Sequence, residues 1–298
     1  MRLQGAITAI VTPFKKGKID EESFRKLIEI QIEGGIDGLA PCGTTGESAT
    51  LSHAEHEAVI RICIDQVKGR VPVIAGSGSN NTSEAISLTR FAREAGADAA
   101  LLITPYYNKP SQDGLYAHFR AVNDAVSIPM LVYNVPGRTG VNVAPATLAR
   151  MYKDLDNVFG VKEATGNLTQ ISDILELCDD DFTLLSGDDF TLLPILAIGG
   201  KGVISVVSNI APGPMHELCA AWFAGDTQKA VELHYKLAPL CRACFLETNP
   251  VPVKSALGLL GIIEDASSRL PLAPLTPDNA RKLEEILRGD ARGLCLKA

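Results

Sequence analysis

Short β-rich segments alternate with longer amphipathic segments along the first two-thirds of the chain, and this rhythm limits the folds open to it. The β-rich segments are Ala6–Ile10, Gly38–Pro41, Val73–Ala75, Ala99–Ile103, Met130–Tyr133, Val158–Lys162, Phe182–Ser186 and Gly202–Ser205. Segments with helical periodicity lie between them, at Glu21–Glu33, Ala54–Val67, Thr82–Ala95, Gly114–Ala125, Ala144–Tyr152 and Leu168–Leu177. Each βα step takes roughly 20 to 35 residues, as a parallel barrel needs. We therefore predict an α/β fold, a (β/α)8 TIM barrel, with an open doubly wound sheet as the alternative because periodicity cannot show closure.

From about Pro212 onward the chain has the pattern of one helix after another, with breaks at Pro239, Pro250-Val251-Pro252 and the prolines from Pro271 to Pro277. Such a run lacks the β segments that a second α/β domain would need. We predict a barrel that carries the site over residues 1–211 and a helical C-terminal extension over residues 212–298.

Composition excludes several classes of protein. Hydrophobic residues make up 46% of the 298 residues, charged residues 21%, and the net charge is −7. An acidic chain gives no electrostatic reason to expect nucleic acid or an anionic membrane as a partner. There is no apolar run of membrane-spanning length and no signal-peptide pattern, so we expect a cytoplasmic protein. The odd number of cysteines, seven, suits reduced thiols, and we expect no metal or redox centre at Cys241 and Cys244.

Lys162 stands at the end of the apolar segment Val158-Phe159-Gly160-Val161-Lys162. In a parallel barrel the site is built at the C-terminal ends of the strands. Burial disfavours an ammonium ion, so a lysine at such a position can act as a free amine that attacks a ketone and forms a Schiff base. The alternative is an ordinary lysine that extends from a strand end to solvent.

Imine chemistry requires a proton shuttle, because dehydration of the carbinolamine and formation of the carbanion each move a proton. Tyr133 ends the preceding strand, and Thr44 and Tyr107 supply hydroxyl groups that can relay its proton. Taken singly, Tyr133 is equally well explained as a core tyrosine and Thr44 as a turn residue.

Two further features suggest sites for carboxylates. Gly43 and Gly46 allow backbone N–H groups to approach a ligand closely, and the threonines between them add donors. Arg138 follows a Pro-Gly turn and offers a fork suited to a second carboxylate, although a surface arginine is the alternative.

Together these motifs resemble the dihydrodipicolinate synthase family of pyruvate-dependent class I aldolases. The resemblance rests on Gly43-Thr44-Thr45-Gly46-Glu47, Tyr133-Asn134-Val135-Pro136-Gly137-Arg138-Thr139-Gly140, Val161-Lys162-Glu163-Ala164-Thr165 and Asn249-Pro250-Val251-Pro252-Val253-Lys254. It runs from Gly5 to the helical tail. The segment Ala40-Pro41-Cys42 departs slightly from the family pattern and leaves the catalytic assignment intact; Cys42 is either a packing residue or a thiol sensitive to reagents.

The resemblance implies condensation of pyruvate with L-aspartate 4-semialdehyde, the entry step of the diaminopimelate route to lysine, without metal or cofactor. It implies a homotetramer built as a dimer of dimers. The implied roles are Schiff-base lysine for Lys162, proton donor for Tyr133, relay for Thr44 and for Tyr107 from a neighbouring subunit, pyruvate-carboxylate ligand for Thr45, semialdehyde-carboxylate ligand for Arg138, and backbone carbonyl positions for Gly187 and Ile204.

The resemblance also implies feedback inhibition by L-lysine at a tight dimer interface. The matching residues are Ser48, Ala49, His53, His56, Asn80, Glu84 and Tyr106. His53 and His56 lie three apart on one predicted helix, and Glu84 can pair with an ammonium group. Helix capping and solvated helix faces are the alternative explanation.

Two other functions stay open at this stage. N-acetylneuraminate lyases and 2-keto-3-deoxy sugar-acid aldolases share the lysine and tyrosine, but Arg138 argues against them because their aldehydes carry no matching carboxylate. A non-catalytic pyruvate-binding sensor is the alternative from another class, although it would be free to lose Tyr133 or Thr44.

Overall fold

The computed structural model describes residues 3–296. The strands are β1 (Gly5–Thr8), β2 (Phe14–Lys15), β3 (Lys18–Ile19), β4 (Gly38–Leu39), β5 (Ile74–Gly76), β6 (Ala99–Ile103), β7 (Met130–Asn134), β8 (Val158–Glu163), β9 (Thr183–Ser186) and β10 (Gly202–Ser205). The helices are α1 (Glu21–Glu33), α2 (His53–Val67), α3 (Thr82–Ala95), α4 (Gln112–Ala125), α5 (Pro136–Thr139), α6 (Pro145–Asp154), α7 (Leu168–Leu177), α8 (Leu192–Ala197), α9 (Pro212–Phe223), α10 (Thr227–Ala243), α11 (Val251–Leu259) and α12 (Pro277–Arg288).

The described chain forms two compact units, of which one holds residues 5–71 and 205–296. In this unit β1 pairs in parallel with β4. The N–H of Ala9 donates to the carbonyl of Ser205, 2.9 Å away at the end of β10. Helix α1 buries Phe24, Leu27 and Ile28, whose spacing of three and four residues puts them on one face of the helix.

Helices α9 to α12 belong to the same unit, as expected for a helical C-terminal region. The predicted break at Pro239 is wrong, because α10 continues through this proline. Helix α12 shows why its sequence forms a helix: Thr276 accepts a hydrogen bond from the N–H of Asn279, Pro277 occupies the first turn, and Leu283 and Leu287 are buried four residues apart. The domain boundary at residues 211 and 212 stays a prediction.

Of the described residues, the other unit holds 3–4 and 72–204. Strands β5 to β9 pair in parallel, each with the next along the chain, and β9 pairs in parallel with β10. Strands β7 and β8 are buried along their whole length. Both faces of these strands are therefore covered, which is why they are nearly continuous hydrophobic runs rather than alternating ones. The core of the unit includes Phe119, Met130 and Phe182.

The strand order is β4-β1-β10-β9-β8-β7-β6-β5. Strands β2 and β3 form a separate hairpin, and the other eight strands belong to this sheet. Each pair of neighbours in the sheet joins either two of these eight strands that follow one another in the chain or the first strand, β1, and the last, β10. A doubly wound sheet would reverse its strand order at a switch point. The order therefore identifies the (β/α)8 barrel class with C-terminal helices and confirms the predicted fold.

Local signals in the sequence placed several helix ends correctly. Helices α1, α3 and α7 have the predicted bounds. Ser52 and Glu55 form a capping box at the start of α2. The hairpin of β2 and β3 and the four-residue helix α5 were not predicted, because elements this short leave no hydrophobic period. No helix within residues 3–296 is long and apolar enough to span a membrane.

Candidate active site

Lys162 lies in β8, and its side chain faces that of Tyr133 in β7. The two residues are register partners, and the Nζ atom of Lys162 lies 4.1 Å from the centroid of the Tyr133 ring. Both are only 6% exposed. Parallel pairing of neighbouring strands thus places an amine against a phenol in a site with little access to water, as predicted from the strand ends.

A comparison with Lys254 shows what is distinctive about Lys162. These are the buried lysines of the described chain. The Nζ atom of Lys254 lies 2.7 Å from Oε1 of Glu47, and both side chains are almost fully inaccessible. No carboxylate of residues 3–296 forms an ion pair with Lys162. Lys254 is therefore held by a counter-ion, whereas the amine of Lys162 is available for chemistry.

Hydrogen bonds fix the strand ends beside Lys162. Glu163, whose side chain points to the opposite face of β8, accepts from Nδ2 of Asn134 at 2.9 Å and from the N–H of Thr165 at 2.8 Å. Asn134 also donates to Asn142 and accepts from the N–H of Val143. This buried network ties β8 to the loop that follows β7, so it keeps the backbone around Lys162 and Tyr133 rigid.

Two glycines near Lys162 allow neighbouring segments of the chain to pack closely against each other. A Cβ atom at Gly160 would lie 2.0 Å from the carbonyl oxygen of Thr183. At Gly187 it would lie 2.6 Å from Cβ of Ala164, and the N–H of Gly187 donates to the carbonyl of Glu163 at 2.7 Å. Gly187, which follows β9, therefore lies against the end of β8. Ile204 is buried in β10.

Arg138 and Tyr107 lie outside the buried pair. Arg138 is an exposed residue of α5. Tyr107 is 88% exposed on the loop after β6, where its backbone has a φ of 73°, and its N–H donates to the carbonyl of Thr139. A non-glycine residue in the left-handed region is strained, so the surrounding loop must hold it there. The structure does not bring the Tyr107 ring to Tyr133 of the same chain's buried site.

The loop from Gly43 to Glu47 belongs to the other unit. Thr45 is buried, and its Oγ1 accepts a hydrogen bond from Nδ2 of Asn249 at 3.0 Å. Since a hydroxyl that accepts one hydrogen bond can still donate its own hydrogen, Thr45 keeps a donor. Thr44 is half-buried, and a Cβ atom at Gly43 would meet no atom within 4 Å. This side of the loop is open to a ligand.

The residues predicted for a lysine site are divided between the two units, and each group is described by itself. In one, Ser48 is half-buried, Ala49 is exposed, and α2 carries His53 exposed and His56 buried. In the other unit, Asn80 and Glu84 are half-buried and Tyr106 is more exposed.

Within residues 72–204 those predicted residues are connected. Nδ2 of Asn80 donates to the carbonyl of Tyr106 at 3.1 Å, and the hydroxyl of Ser79 donates to the carboxylate of Glu84. Asn108 donates back to the carbonyl of Asn80 at 2.9 Å. Asn80 therefore fixes the loop that bears Tyr106 and Tyr107.

Two interactions were not predicted from the sequence. They are the hydrogen bond from Asn134 to Glu163 and the ion pair between Lys254 and Glu47. The alternation of β8 could have indicated Glu163, because a glutamate next to a buried lysine must point to the opposite face and find donors there. No local signal connects Glu47 to Lys254, which lie 207 residues apart in the chain.

Comparisons with known proteins give one family. The model of the dihydrodipicolinate synthetase family matches residues 2–289. The 4-hydroxy-tetrahydrodipicolinate synthase of Nitratidesulfovibrio vulgaris (strain DP4) is 64% identical over 287 residues, which cover 96% of this chain and 98% of that protein. The same enzyme of Oleidesulfovibrio alaskensis is 62% identical, with 96% and 98% covered. Among solved structures, dihydrodipicolinate synthase from Aquifex aeolicus is 46% identical with a TM-score of 0.96, and the match covers 99% of this chain and 100% of that one. The chain belongs to the dihydrodipicolinate synthetase family.

Proposed function

We propose that the protein is a lyase of the class I aldolase type that condenses pyruvate with L-aspartate 4-semialdehyde, the first committed step of lysine biosynthesis through diaminopimelate. The observation that carries the proposal is the buried amine of Lys162, 4.1 Å from the Tyr133 ring and without a carboxylate partner in the described chain. Membership of the family supplies the substrates. A dihydrodipicolinate synthase from Acinetobacter baumannii, 46% identical to this chain, has been solved in complex with pyruvate.

The chemistry assigned to Lys162 begins with attack of its amine on C2 of pyruvate. The carbinolamine that forms loses water and gives an imine, and loss of a proton from C3 then gives an enamine. The enamine carbon attacks the aldehyde of the second substrate. Tyr133 is placed to give and take the protons of these steps, because its ring lies against the amine on the adjacent strand.

The loop residue Thr45 is proposed to bind the carboxylate of pyruvate. Its support is the hydrogen bond from Asn249, which leaves the hydroxyl hydrogen of Thr45 to donate to an anion. Arg138 is proposed to receive the carboxylate of the semialdehyde, since it is exposed and its guanidinium fits a carboxylate in bidentate fashion. Gly187 and Ile204 are proposed to contribute backbone carbonyl groups.

Tyr107 is proposed to enter the proton relay, with Thr44, from a neighbouring copy of the chain. Its 88% exposure and its held left-handed backbone support a ring that is presented outward rather than to its own site. The proposal therefore includes an assembly of copies, a homotetramer built as a dimer of dimers. The substrates are small metabolites, neither nucleic acid nor membrane is expected as a partner, and the proposed location is the cytoplasm.

The test compares three aldehydes. The rate of pyruvate consumption is measured with L-aspartate 4-semialdehyde, N-acetylmannosamine and glyceraldehyde offered separately. We expect preference for the semialdehyde. Preference for a sugar aldehyde would assign the protein to the N-acetylneuraminate lyases or the 2-keto-3-deoxy sugar-acid aldolases, and turnover of none would indicate a pyruvate-binding sensor.

A second test addresses Lys162 directly. Borohydride reduction in the presence of pyruvate should add one pyruvate-derived group to the parent protein, as seen by mass spectrometry, and none to Lys162→Met. Lys153→Met is the matched control, because Lys153 is an exposed lysine of the same unit. An adduct on Lys162→Met would refute the assignment of the nucleophile.

Inhibition by L-lysine is proposed at the residues Ser48, Ala49, His53, His56, Asn80, Glu84 and Tyr106. Support comes from the hydrogen bonds that hold Asn80 against Tyr106, and from DHDPS of Cyanidioschyzon merolae, 39% identical, which has been solved with lysine bound. Turnover is measured against L-lysine concentration for the parent, for Glu84→Ala and for Glu94→Ala, a control at the exposed end of the same helix. We expect weaker inhibition in Glu84→Ala alone. Equal inhibition of all three proteins would exclude Glu84 from the site.

A further inference from the structure

Glu47 ends the loop that carries Thr44 and Thr45, and its carboxylate is buried and fully engaged. Oε1 accepts from Nζ of Lys254 at 2.7 Å, and Oε2 accepts from the backbone N–H of Arg269 at 2.9 Å. The Nζ of Lys254 and the guanidinium carbon of Arg269 each lie 4.3 Å from the centroid of the Phe14 ring. All of these residues belong to one unit of the chain.

This arrangement is a poor way to gain stability. Removing two charges from water costs several kcal/mol for each ion, and well-packed apolar residues of similar volume often replace such pairs without loss. Burial also lowers the pKa of Lys254, while the charge of Glu47 opposes that shift. Glu47 moreover has a φ of 55°, a conformation that glycine adopts without strain. Stability alone does not explain a strained, charged residue at this position.

Contacts with distant segments explain it better. The segment from Asn249 to Lys254 holds the loop at two points: Asn249 donates to Thr45, and Lys254 donates to Glu47, two residues further on. On another side, the hydroxyl of Thr12 donates to the carbonyl of Gly46 at 2.7 Å. The loop is therefore held at Thr45 itself and at the two residues that follow it.

Arg269 adds a fourth contact, the N–H that it donates to Glu47. Besides the N–H given to Glu47, its guanidinium makes two hydrogen bonds with the carboxylate of Glu55, at 2.6 and 2.9 Å, and one with the carbonyl of Thr50. Glu55 is the third residue of α2 and completes its capping box with Ser52. The backbone of Arg269 is thus anchored, so its N–H is a fixed donor for Glu47.

We propose that the buried Glu47–Lys254 pair is a positioning element that holds the Thr45 hydroxyl where the pyruvate carboxylate binds. The inference rests on the proposed function. Neither Glu47 nor Lys254 contacts the substrate in this scheme; they act through the loop backbone. A misplacement of about 1 Å costs on the order of 100-fold in rate, and we expect a loss of that order in kcat/KM for pyruvate when the pair is broken.

Two variants separate positioning from stability. Lys254→Met leaves the carboxylate of Glu47 buried beside a single donor, so it is expected to lower Tm as well as activity. The double variant Glu47→Gln with Lys254→Met removes both charges, and we expect its Tm to recover toward that of the parent. We expect its KM for pyruvate to stay raised, because nothing pulls the loop end toward Lys254.

The measurements are Tm, kcat and KM for pyruvate and for the semialdehyde, and the rate of borohydride-trapped pyruvate adduct formation. Lys15→Met is the control; Lys15 pairs with Glu264 on the surface of the same unit, and we expect no change in KM. Glu47→Gln alone, which is isosteric, serves if the double variant fails to fold. A raised KM for pyruvate with little change for the semialdehyde would support the inference.

Two results would overturn it. If the KM for pyruvate of Glu47→Gln and of every folded Lys254 variant stays within about threefold of the parent value, less than 1 kcal/mol, the pair only contributes to folding. If the parent protein itself forms no trapped pyruvate adduct, the proposed function fails first. The two failures are therefore distinguishable.

Discussion

Replacement of Gly160 by alanine should show how tightly the backbone beside Lys162 is packed. Gly160 lies in β8 two residues before Lys162, on the same face of the strand, and is the register partner of Thr183 in β9. A Cβ atom at this position would lie 2.0 Å from the carbonyl oxygen and 2.8 Å from the carbonyl carbon of Thr183. Ordinary contacts of this kind begin at 3.4 Å. The overlap is with backbone, so no side-chain rotation can relieve it.

The strands must therefore separate by about 1 Å or more, which weakens their ladder hydrogen bonds. Overpacking of a filled interior costs about 1–3 kcal/mol, and each of roughly two weakened ladder bonds adds about 1 kcal/mol. We expect Gly160→Ala to lower the free energy of unfolding by about 3–5 kcal/mol. Since β8 carries Lys162, we also expect turnover to fall, on the order of 100-fold for a shift of about 1 Å.

Urea unfolding followed by circular dichroism measures the first effect, and pyruvate consumption at a temperature well below the Tm measures the second. Gly137→Ala is the control, because Gly137 lies in α5 of the same unit and a Cβ atom there would meet nothing within 4 Å. We expect the control to be neutral or more stable by about 0.5–1 kcal/mol. A Gly160→Ala protein within about 0.5 kcal/mol of the parent would refute the close approach of the two strands.

Three further predictions concern titration and access. Arg269 holds the pKa of Glu55 at about 2, below the ordinary 4.5. This ion pair therefore stabilises the fold fully above pH 4.5, and its contribution is lost as the pH falls toward 2. Glu55→Gln should flatten the pH dependence of the free energy of unfolding in that range. Burial lowers the pKa of His118 from 6.5 to about 4, so the neutral, buried His118 contributes its full stability above pH 6.5 and this contribution is lost as the pH falls to 4. If His118→Gln leaves the pH dependence of the free energy of unfolding unchanged, this reasoning is wrong. Burial raises the thiol pKa values of Cys42 and Cys63, so a thiol reagent at pH 8 should label them only after unfolding, and rapid native labelling of Cys42 would show that its packing role is wrong.

Several features of the site could be predicted from the sequence because they depend on the pattern of residues within a single strand and its neighbour. Lys162 and Tyr133 each end an apolar segment, and parallel strands that follow one another in a barrel are neighbours, so their proximity could be predicted before any coordinates. The observed register confirms that they are partners. Their catalytic roles, and those of Thr44, Thr45 and Arg138, stay predictions.

Other features of the site could not be predicted from the sequence. The exposure and left-handed backbone of Tyr107 depend on its loop, whose N–H bond to Thr139 lies outside any periodic element. The burial of Glu163 depends on donors from Asn134 and Thr165 that only the folded strand ends bring together.

What the amino-acid sequence determined by itself is the alternation of strand and helix, the capping box of Ser52 with Glu55, and the strand-end position of Lys162. These features follow from the periods of 2 and 3.6 residues and from capping chemistry within a few residues. Only the tertiary structure decided which of the buried lysines has a counter-ion. Glu47 and Lys254 lie 207 residues apart, and a contact at that separation leaves no local signal because it forms only when the helical C-terminal region packs onto the loop after β4.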